Sequence, residues 1–504
     1  MIEILEPLLF GLQNAVTLEN LTFALIGCII GTAVGVLPGV GPVAGIAILL
    51  PVTFSLSPVG ALIMLSAIYY GTMYGGTITS VLMNVPGETA SVVTAIEGHQ
   101  LARQGRAGAA LSIAAIGSFI GGGLATLGIV FISGPLSEFG LKFGPPEFFG
   151  LVVLSFTLLV ALTADSALKG FAVAAFGLAL TLPGFDPMTG IPRMTFGSIN
   201  MLDGFAFVPV LMGLFGISEI LLNIESRSTK LLSAPMSTLW PSRDDWKKCF
   251  GPIIRGSGLG FIIGVIPGLG SATSSFISYA LEKRLSSTPE KFGRGAIEGV
   301  AGPETANNAS ANAALLPLLT LGIPGSATTA LLLGAFLING IAPGPFLFQD
   351  HPDLVWTLIA SMFIGNVILL ILNLPLVGLW VKILLIPYPL LMTMIIVFTI
   401  VGSYSLNGSA FDVAVMIGFG FVGYLLRKAS FPMAPIALTL VLGPYFEQSL
   451  RQSLVLSKGD YSIFFRSGIS STLIGLAMLA IALIVLKSIF SNIRLPWRAE
   501  DSEV

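Results

Sequence analysis

Charge is what this chain has least of. Only 10% of its 504 residues are Asp, Glu, Lys or Arg, against roughly 25% in soluble domains, and the mean hydropathy is +0.92. That shortage excludes a soluble globular protein. Two cysteines and two histidines show no metal-ligand spacing, so no transition-metal centre is expected. Cys28 lies in an apolar segment and Cys249 in a polar loop, and a disulfide between them is not expected. No Gly-x-x-x-x-Gly-Lys-Ser/Thr run occurs, so ATP would have to be handled by another subunit. No nucleophile–base arrangement stands out, and an enzyme is not expected. The N-terminus, Met1-Ile-Glu-Ile-Leu-Glu-Pro7, lacks the basic region of a cleaved signal peptide. A net charge of −2 gives no reason to expect a nucleic-acid partner.

What is present points to helices in a bilayer. Hydrophobic residues make up 54% of the chain, and many segments reach the ~20 apolar residues a spanning helix needs. The 59 glycines and 31 prolines are spread through these segments, unlike the short alternating runs of a β-barrel. The expected fold class is an all-α integral membrane protein, a polytopic helical bundle surrounded by membrane lipid. One stretch organises it. Gly35-Val-Leu-Pro-Gly-Val-Gly41 comes back as Gly264-Val-Ile-Pro-Gly-Leu-Gly270, and Val85-Pro-Gly87 as Ile323-Pro-Gly325, in the same order and at nearly the same spacing. Pro removes a backbone donor and Gly loosens a helix, so each copy should break a helix at membrane depth. Broken backbone is tolerated there only where protein or a polar cavity satisfies it. A single Pro-Gly is often only a kink, whereas paired breaks at matching places in two halves point to a secondary transporter's binding site.

The chain divides around these breaks. Residues 1–19 read as an amphipathic segment on the membrane surface, broken by Pro7. Residues 20–222 form a first membrane repeat, 223–255 a polar cytoplasmic linker and 256–460 a second repeat. A last transmembrane helix spans 461–487, and 488–504 is a cytoplasmic tail. Basic loops 99–106 and 282–294, with Arg427-Lys428, should face the cytoplasm by the positive-inside rule. Their counterparts in the other half, 349–353 and 54–58, are acidic and uncharged. Equivalent loops of opposite character suggest inverted halves. Residues 256–281 lie between two basic segments and reach ~39 Å as helix, too short for two crossings of a ~30 Å core. A re-entrant hairpin with Pro267-Gly268 near its tip is expected, with a counterpart over 27–54. Loops 183–204 and 341–353 would lie outside, where Asp186, Asp203, Asp350 and Asp353 are candidates to receive a partner protein.

Longer motifs now identify a family. Gly35-Val-Leu-Pro-Gly-Val-Gly41, Tyr70-Gly-Thr-Met-Tyr-Gly-Gly76, Asn84-Val-Pro-Gly-Glu88 and Glu97-Gly-His-Gln-Leu-Ala-Arg-Gln-Gly105 resemble the large membrane subunit of the tripartite tricarboxylate transporters. So do Pro303-Glu-Thr-Ala-Asn-Asn308 and Leu321-Gly-Ile-Pro-Gly-Ser326. The resemblance covers residues 15–490. It implies a bacterial inner-membrane secondary transporter that imports a small organic carboxylate with an ion gradient, commonly Na⁺. It also implies two partners: a small four-helix membrane subunit and a periplasmic substrate-binding protein. The resemblance does not fix which di- or tricarboxylate is carried. A proton-coupled transporter and a channel are the alternatives.

Such an anion must shed water in a low-dielectric interior, and something must replace that hydration. The segments carrying the breaks have no Arg or Lys near the break residues. Half-helix N-termini offer unpaired N–H groups and a partial positive charge instead. The candidate substrate-binding residues are therefore Gly39, Gly41, Asn84, Pro86, Gly87, Thr89, Gly268, Gly270, Ser271, Pro324, Gly325, Ser326 and Thr328. The opposite ends of the breaks offer free carbonyls, which with Asn side chains suit Na⁺. Asn84, Asn307, Asn308 and Asn312 are the candidate cation ligands, although Asn307 and Asn308 also fit as glue between helices. Glu88 and Glu304 read either as caps near helix N-termini or as functional intramembrane carboxylates. Tyr69, Tyr70 and Tyr74 form no single stripe and fit packing. His99 and His351 fit plain loop positions, and Asp165 could pair with Lys169 in a short turn.

Overall fold

The computed structural model describes residues 2–37, 40–163, 166–225, 240–383 and 388–492. Pro38 and Gly39 of the first break, Asp165, much of the expected linker and residues 493–504 lie outside the described residues. The described chain is almost wholly helical. Its one sheet is a two-stranded hairpin pairing Gly184 with Arg193 and Phe185 with Pro192. Four described helices are long and apolar enough to cross a membrane: Leu18–Val36, Ala107–Gly140, Pro352–Asn373 and Ala410–Lys428. Shorter apolar helices, including Ala167–Leu180 and Ala327–Ile338, fill in between.

Two helix pairs form the centre. Leu18–Val36 lies along Pro58–Met83, and Arg243–Val265 along Glu298–Ala313. Both contacts are made by glycines four residues apart. A Cβ at Gly27, Gly31 or Gly35 would stand 2.5, 2.6 or 2.3 Å from the backbone oxygens of Met64, Ile68 or Thr72. A Cβ at Gly256, Gly260 or Gly264 would stand 2.6, 2.3 or 2.5 Å from those of Gly302, Ala306 or Ser310. Backbones can approach this closely only where the side chain is a hydrogen, the usual device of packed membrane helices. The stripe was readable in the sequence from its four-residue spacing, a signal the Pro-Gly motifs overshadow.

Other groups surround this centre. Ala107–Gly140 packs on Glu298–Ala313. Pro145–Thr163, Ala434–Leu456 and Gly468–Asn492 pack together, while Ala410–Lys428 lies against a π-helical segment, Met212–Ile217. Two boundaries differ from the sequence reading. Helix Arg243–Val265 starts well before residue 256, because Ser242 and Asp245 form a capping box at its N-terminus. The N-terminal segment is a helix, Ile2–Ala15, packed against Pro352–Asn373, with Gly11 against the Trp356 carbonyl.

Ion pairs and a carboxylate clamp hold the loops. Asp186 of the hairpin meets Arg193 and Arg451, and Glu447 accepts from both nitrogens of the Arg193 fork at 2.6 Å. Glu97 is buried and accepts from Tyr279, Gly293, Gly295 and Ala296. It therefore fastens helix Val92–Arg103 to the loop before Glu298–Ala313. Cys28 and Cys249 are both free and buried.

Candidate functional site

The breaks share backbone geometry in pairs. Helix Leu18–Val36 ends at Leu37 (φ −82°, ψ 112°), whose N–H bonds to the Val34 carbonyl. Helix Arg243–Val265 ends at Ile266 (φ −82°, ψ 115°), bonded likewise to Ile263. The chain then re-enters helix after Val40 and Leu269, with Gly41 and Gly270 at φ 64° and 65°. Those left-handed angles are cheap only for glycine. The second pair also matches. Pro58–Met83 ends at Asn84 and Leu315–Leu321 at Gly322, both left-handed. The next helices are capped by Glu88 (φ −149°, ψ 170°) and Ser326 (φ −157°, ψ 169°). Each cap is a reciprocal box, Glu88 with Ser91 and Ser326 with Thr329.

All four break regions border one cavity of about 600 Å³. It is lined by Val40 and Gly41 after the first break, Pro86, Gly87 and Thr89 at the second, Gly268, Gly270 and Ser271 at the third, and Gly325, Ser326 and Thr328 at the fourth. The third and fourth breaks touch directly, through a 2.9 Å bond from the Gly268 N–H to the Gly325 carbonyl. The described lining does not include Asn84 or Pro324. Asn84 is exposed and ends its helix in the left-handed region, where Asn is among the few side chains readily accommodated. Pro324 is buried beside the cavity wall.

The capping boxes change what the polar side chains offer. The Ser326 hydroxyl accepts from the Thr329 N–H at 3.2 Å, so it is already engaged at the helix start. Glu88 accepts from the Ala90 N–H at 2.6 Å through Oε2, while its Oε1 is buried with no hydrogen-bond partner. A carboxylate on the wall, when ionised, repels any anion that enters the cavity unless a positive group compensates it.

Arg427 brings a positive group to this wall. It lines the same cavity from the end of helix Ala410–Lys428. Its guanidinium pairs with Glu219 and lies 5.8 Å from the Phe215 ring centroid, and both of these residues also line the cavity. Its Nε is buried with no hydrogen-bond partner. No Arg or Lys lies near the break residues in the sequence, so the local pattern could not reveal it. The fold brings it from another helix.

The asparagines lie elsewhere. Asn307, Asn308 and Asn312 are buried in the layer between Glu298–Ala313 and Ala107–Gly140. Asn308 donates to Ser118 Oγ at 2.7 Å and Asn312 to the Gly122 carbonyl at 3.0 Å. The Oδ1 atoms of Asn308 and Asn312 are buried with no hydrogen-bond partner. Asn307 donates to Glu304 at 3.3 Å. Glu304 also accepts from Thr77 at 2.7 Å and from Thr94. It lies deep inside helix Glu298–Ala313, not at its N-terminus. Tyr74 donates to Asn366 at 2.8 Å, so this tyrosine joins the polar layer as well as the packing. His99 is tied to the Val81 carbonyl at 3.1 Å.

Residues 21–438 match the tripartite tricarboxylate transporter TctA family. An uncharacterized 52.8 kDa protein in the TAR-I ttuC' 3' region of Agrobacterium vitis is 47% identical over 493 residues, 98% of each chain. An uncharacterized protein in the TAR-II ttuC' 3' region of the same organism is 49% identical over 233 residues, 46% of this chain and 96% of that protein. No solved structure matches the chain. With the match spanning most of the chain, this protein belongs to the tripartite tricarboxylate transporter TctA family.

Proposed function

We propose that this chain is the large membrane subunit of a binding-protein-dependent secondary transporter. It imports di- or tricarboxylates across the bacterial inner membrane, coupled to a cation gradient, with Na⁺ as the coupling ion. The observation that carries the reading is the single cavity bordered by all four break regions. Its volume falls within the roughly 300–1,000 Å³ range of small-molecule sites. The matched dihedrals of the paired breaks support two repeats, and the opposite charge of equivalent loops favours their inversion in the membrane, each with a re-entrant hairpin. Alternating access then moves the region around the breaks as a unit, in an elevator-like motion.

In this mechanism one substrate carboxylate meets the N–H groups at the helix starts following Gly87 and Gly325. A second reaches Arg427 and takes the place of Glu219 in a charge-assisted bond. The oxygen-bearing layer of Asn307, Asn308 and Asn312 serves the cation. A small four-helix subunit and a periplasmic binding protein complete the system, with Asp203, Asp350 and Asp353 on the docking side. Asp186 is occupied by its own arginines. The test is uptake into proteoliposomes holding both membrane subunits and the binding protein, with candidate carboxylates and imposed Na⁺ or proton gradients. Accumulation that follows the Na⁺ gradient supports the reading, and downhill flux indifferent to any ion gradient overturns it in favour of a channel.

A further inference from the structure

Three segments far apart in sequence meet at the ends of helices Arg243–Val265 and Gly270–Leu285 that lie away from the third break. Arg106 Nη2 pairs with Asp245 at 2.6 Å. Gln104 Nε2 donates to the Arg294 carbonyl at 2.8 Å, and Arg255 Nε donates to Glu282 at 3.0 Å. These bonds join the loop 99–106, the first half of Arg243–Val265 and the stretch 282–294. They also use up the local acids. Asp245 and Glu282 are buried, and the exposed Asp244 is paired with Lys248. Arg103, Arg243, Lys247, Lys283, Arg284 and Arg294 are exposed and make no ion pair among the described residues. Glu290 is the remaining exposed carboxylate of these stretches. Positive charges gathered in this way repel one another, and an anion held among them relieves that repulsion.

The same surface turns apolar toward the third break. Positions 243, 247, 250 and 254 recur at the helical period and share one face. All four are exposed, and they read Arg, Lys, Phe and Ile. Ile262, about two turns further on, is exposed as well. On helix Gly270–Leu285 the exposed Phe276 and Ile277 are followed by the exposed Lys283 and Arg284. Both helices thus carry cations at the end away from the break and apolar side chains nearer to it. That order matches the passage from lipid headgroups to acyl chains.

We propose that this basic surface binds the headgroup phosphate of an anionic phospholipid, with its acyl chains lying along Phe250, Ile254 and Ile262. The guanidinium forks of Arg243 and Arg284 suit phosphate oxygens, and Lys247 and Lys283 add point charges beside them. A soluble anion or an acidic protein segment would satisfy the cations but leave the apolar continuation of the same face unexplained. A lipid satisfies both. The site is separate from the large cavity, which none of these cations lines. Its connection to that cavity is through the two helices, which reach it at Gly268, Gly270 and Ser271. A lipid held here therefore braces the third break from behind, and its binding does not depend on what the protein carries.

The experiment counts lipid bound to the purified full chain by native mass spectrometry, in neutral detergent titrated with phosphatidylglycerol or phosphatidylcholine at fixed ionic strength. Phosphatidylglycerol is expected to be retained in preference by about tenfold or more, as several basic residues act on one headgroup. A variant combining Arg243→Gln, Lys247→Gln, Lys283→Gln and Arg284→Gln is expected to lose that preference. Lys142→Gln with Lys458→Gln, exposed cations elsewhere on the chain, is expected to keep it. Should the combined variant fail to fold, the pair at 243 and 247 and the pair at 283 and 284 are tested separately, each expected to weaken phosphatidylglycerol binding by about tenfold. Equal retention of the two lipids, or variants that keep the wild-type preference, would overturn the proposal. Inorganic phosphate that binds as tightly as phosphatidylglycerol would make this a soluble-anion site and overturn the lipid assignment. A preference that vanishes when the small membrane subunit is co-purified would overturn it too and give the surface to that subunit.

Discussion

The two halves of the chain carry the same backbone at their breaks and different chemistry beside them. Leu37 and Ile266 differ by only 3° in ψ, and the caps at Glu88 and Ser326 by 8° in φ and 1° in ψ. Yet counting back from the left-handed residues Asn84 and Gly322, the positions of Tyr69, Tyr70 and Tyr74 correspond to Asn307, Asn308 and Asn312. The cap itself is a carboxylate in one half and a hydroxyl in the other. Backbone geometry is thus set by local rules common to both copies: proline removes a donor, glycine permits a positive φ, and a short polar side chain caps the next helix. Side chains about three to four turns away are free to diverge. In this protein the divergence puts the oxygen-rich amides in the second half.

Space at the tips also differs, and that difference should give the largest effect. A Cβ at Gly87 would stand 2.2 Å from the Gly35 carbonyl oxygen and 2.5 Å from Gly76 Cα, both backbone atoms. A Cβ at Gly325 would find nothing nearer than the Gly264 oxygen at 3.7 Å. Gly87→Ala should therefore force helices apart and sharply reduce the folded protein in the membrane. Gly325→Ala should fold and transport near the wild-type level, whereas Gly325→Trp should fold but abolish uptake by filling the cavity. Membrane abundance and uptake, measured on the same preparations, check all three. Equal tolerance of alanine at both tips would erase the asymmetry.

Arg427 comes next. It breaks the symmetry of the cavity because its positive charge comes from a helix that carries no break. Arg427→Gln should raise the substrate concentration for half-maximal uptake by about 10- to 100-fold, the loss of roughly 1.5–3 kcal/mol for one hydrogen bond to a charged group. Glu219→Gln should do the opposite or nothing, since it removes a competitor for the guanidinium. Substrate titration at matched abundance distinguishes them. An Arg427→Gln variant with unchanged half-saturation would return anion binding to the helix ends alone.

What could be read from sequence follows the same division. The breaks were legible because Pro-Gly acts on its own neighbours, and the residues flagged there largely border one cavity. Arg427 was not legible, because its place is fixed by packing between Ala410–Lys428 and Met212–Ile217, elements far from any Pro-Gly motif. Asn84 was misleading for a related reason. Its residue type suited a ligand, but a helix end needing φ 56° accounts for it without one. Glu304 announced itself as a carboxylate at membrane depth, yet nothing local told that Thr77 and Thr94 would meet it. The resemblance to a family supplied substrate class and partners that no spacing argument reaches.

The caps give a smaller contrast. Ser326→Ala removes the acceptor for the Thr329 N–H and should cost ~1 kcal/mol of stability, as N-cap serines usually do. Ser91→Ala leaves the Glu88 carboxylate bonded to Ala90 and should cost less. Thermal unfolding of both variants measures the difference. A Ser326→Ala variant with intact stability but weakened substrate binding would move this hydroxyl from cap to ligand.

The smallest effect concerns a tie between the halves, the ion cluster of Asp186 and Arg193 in the hairpin with Glu447 and Arg451 of Ala434–Leu456. The cluster is partly solvated, so screening limits its worth. The hydrogen bond from Arg451 to Asp186, with backbone donors behind it, holds that carboxyl well below the usual carboxylate range. Arg193 holds Glu447 down in the same way. A group with a depressed value in the folded state stabilises it above the unfolded value, near 4, and loses that contribution as pH falls. Stability should therefore be flat from neutral pH down to about 5 and decline below it. Asp186→Asn should flatten part of that acid limb while lowering stability slightly at neutral pH, where the charged pair is present. Unfolding temperature against pH for wild type and variant checks the sign. An acid limb of unchanged depth in Asp186→Asn would mean that the hairpin is held by its backbone, with the charges merely lying beside it.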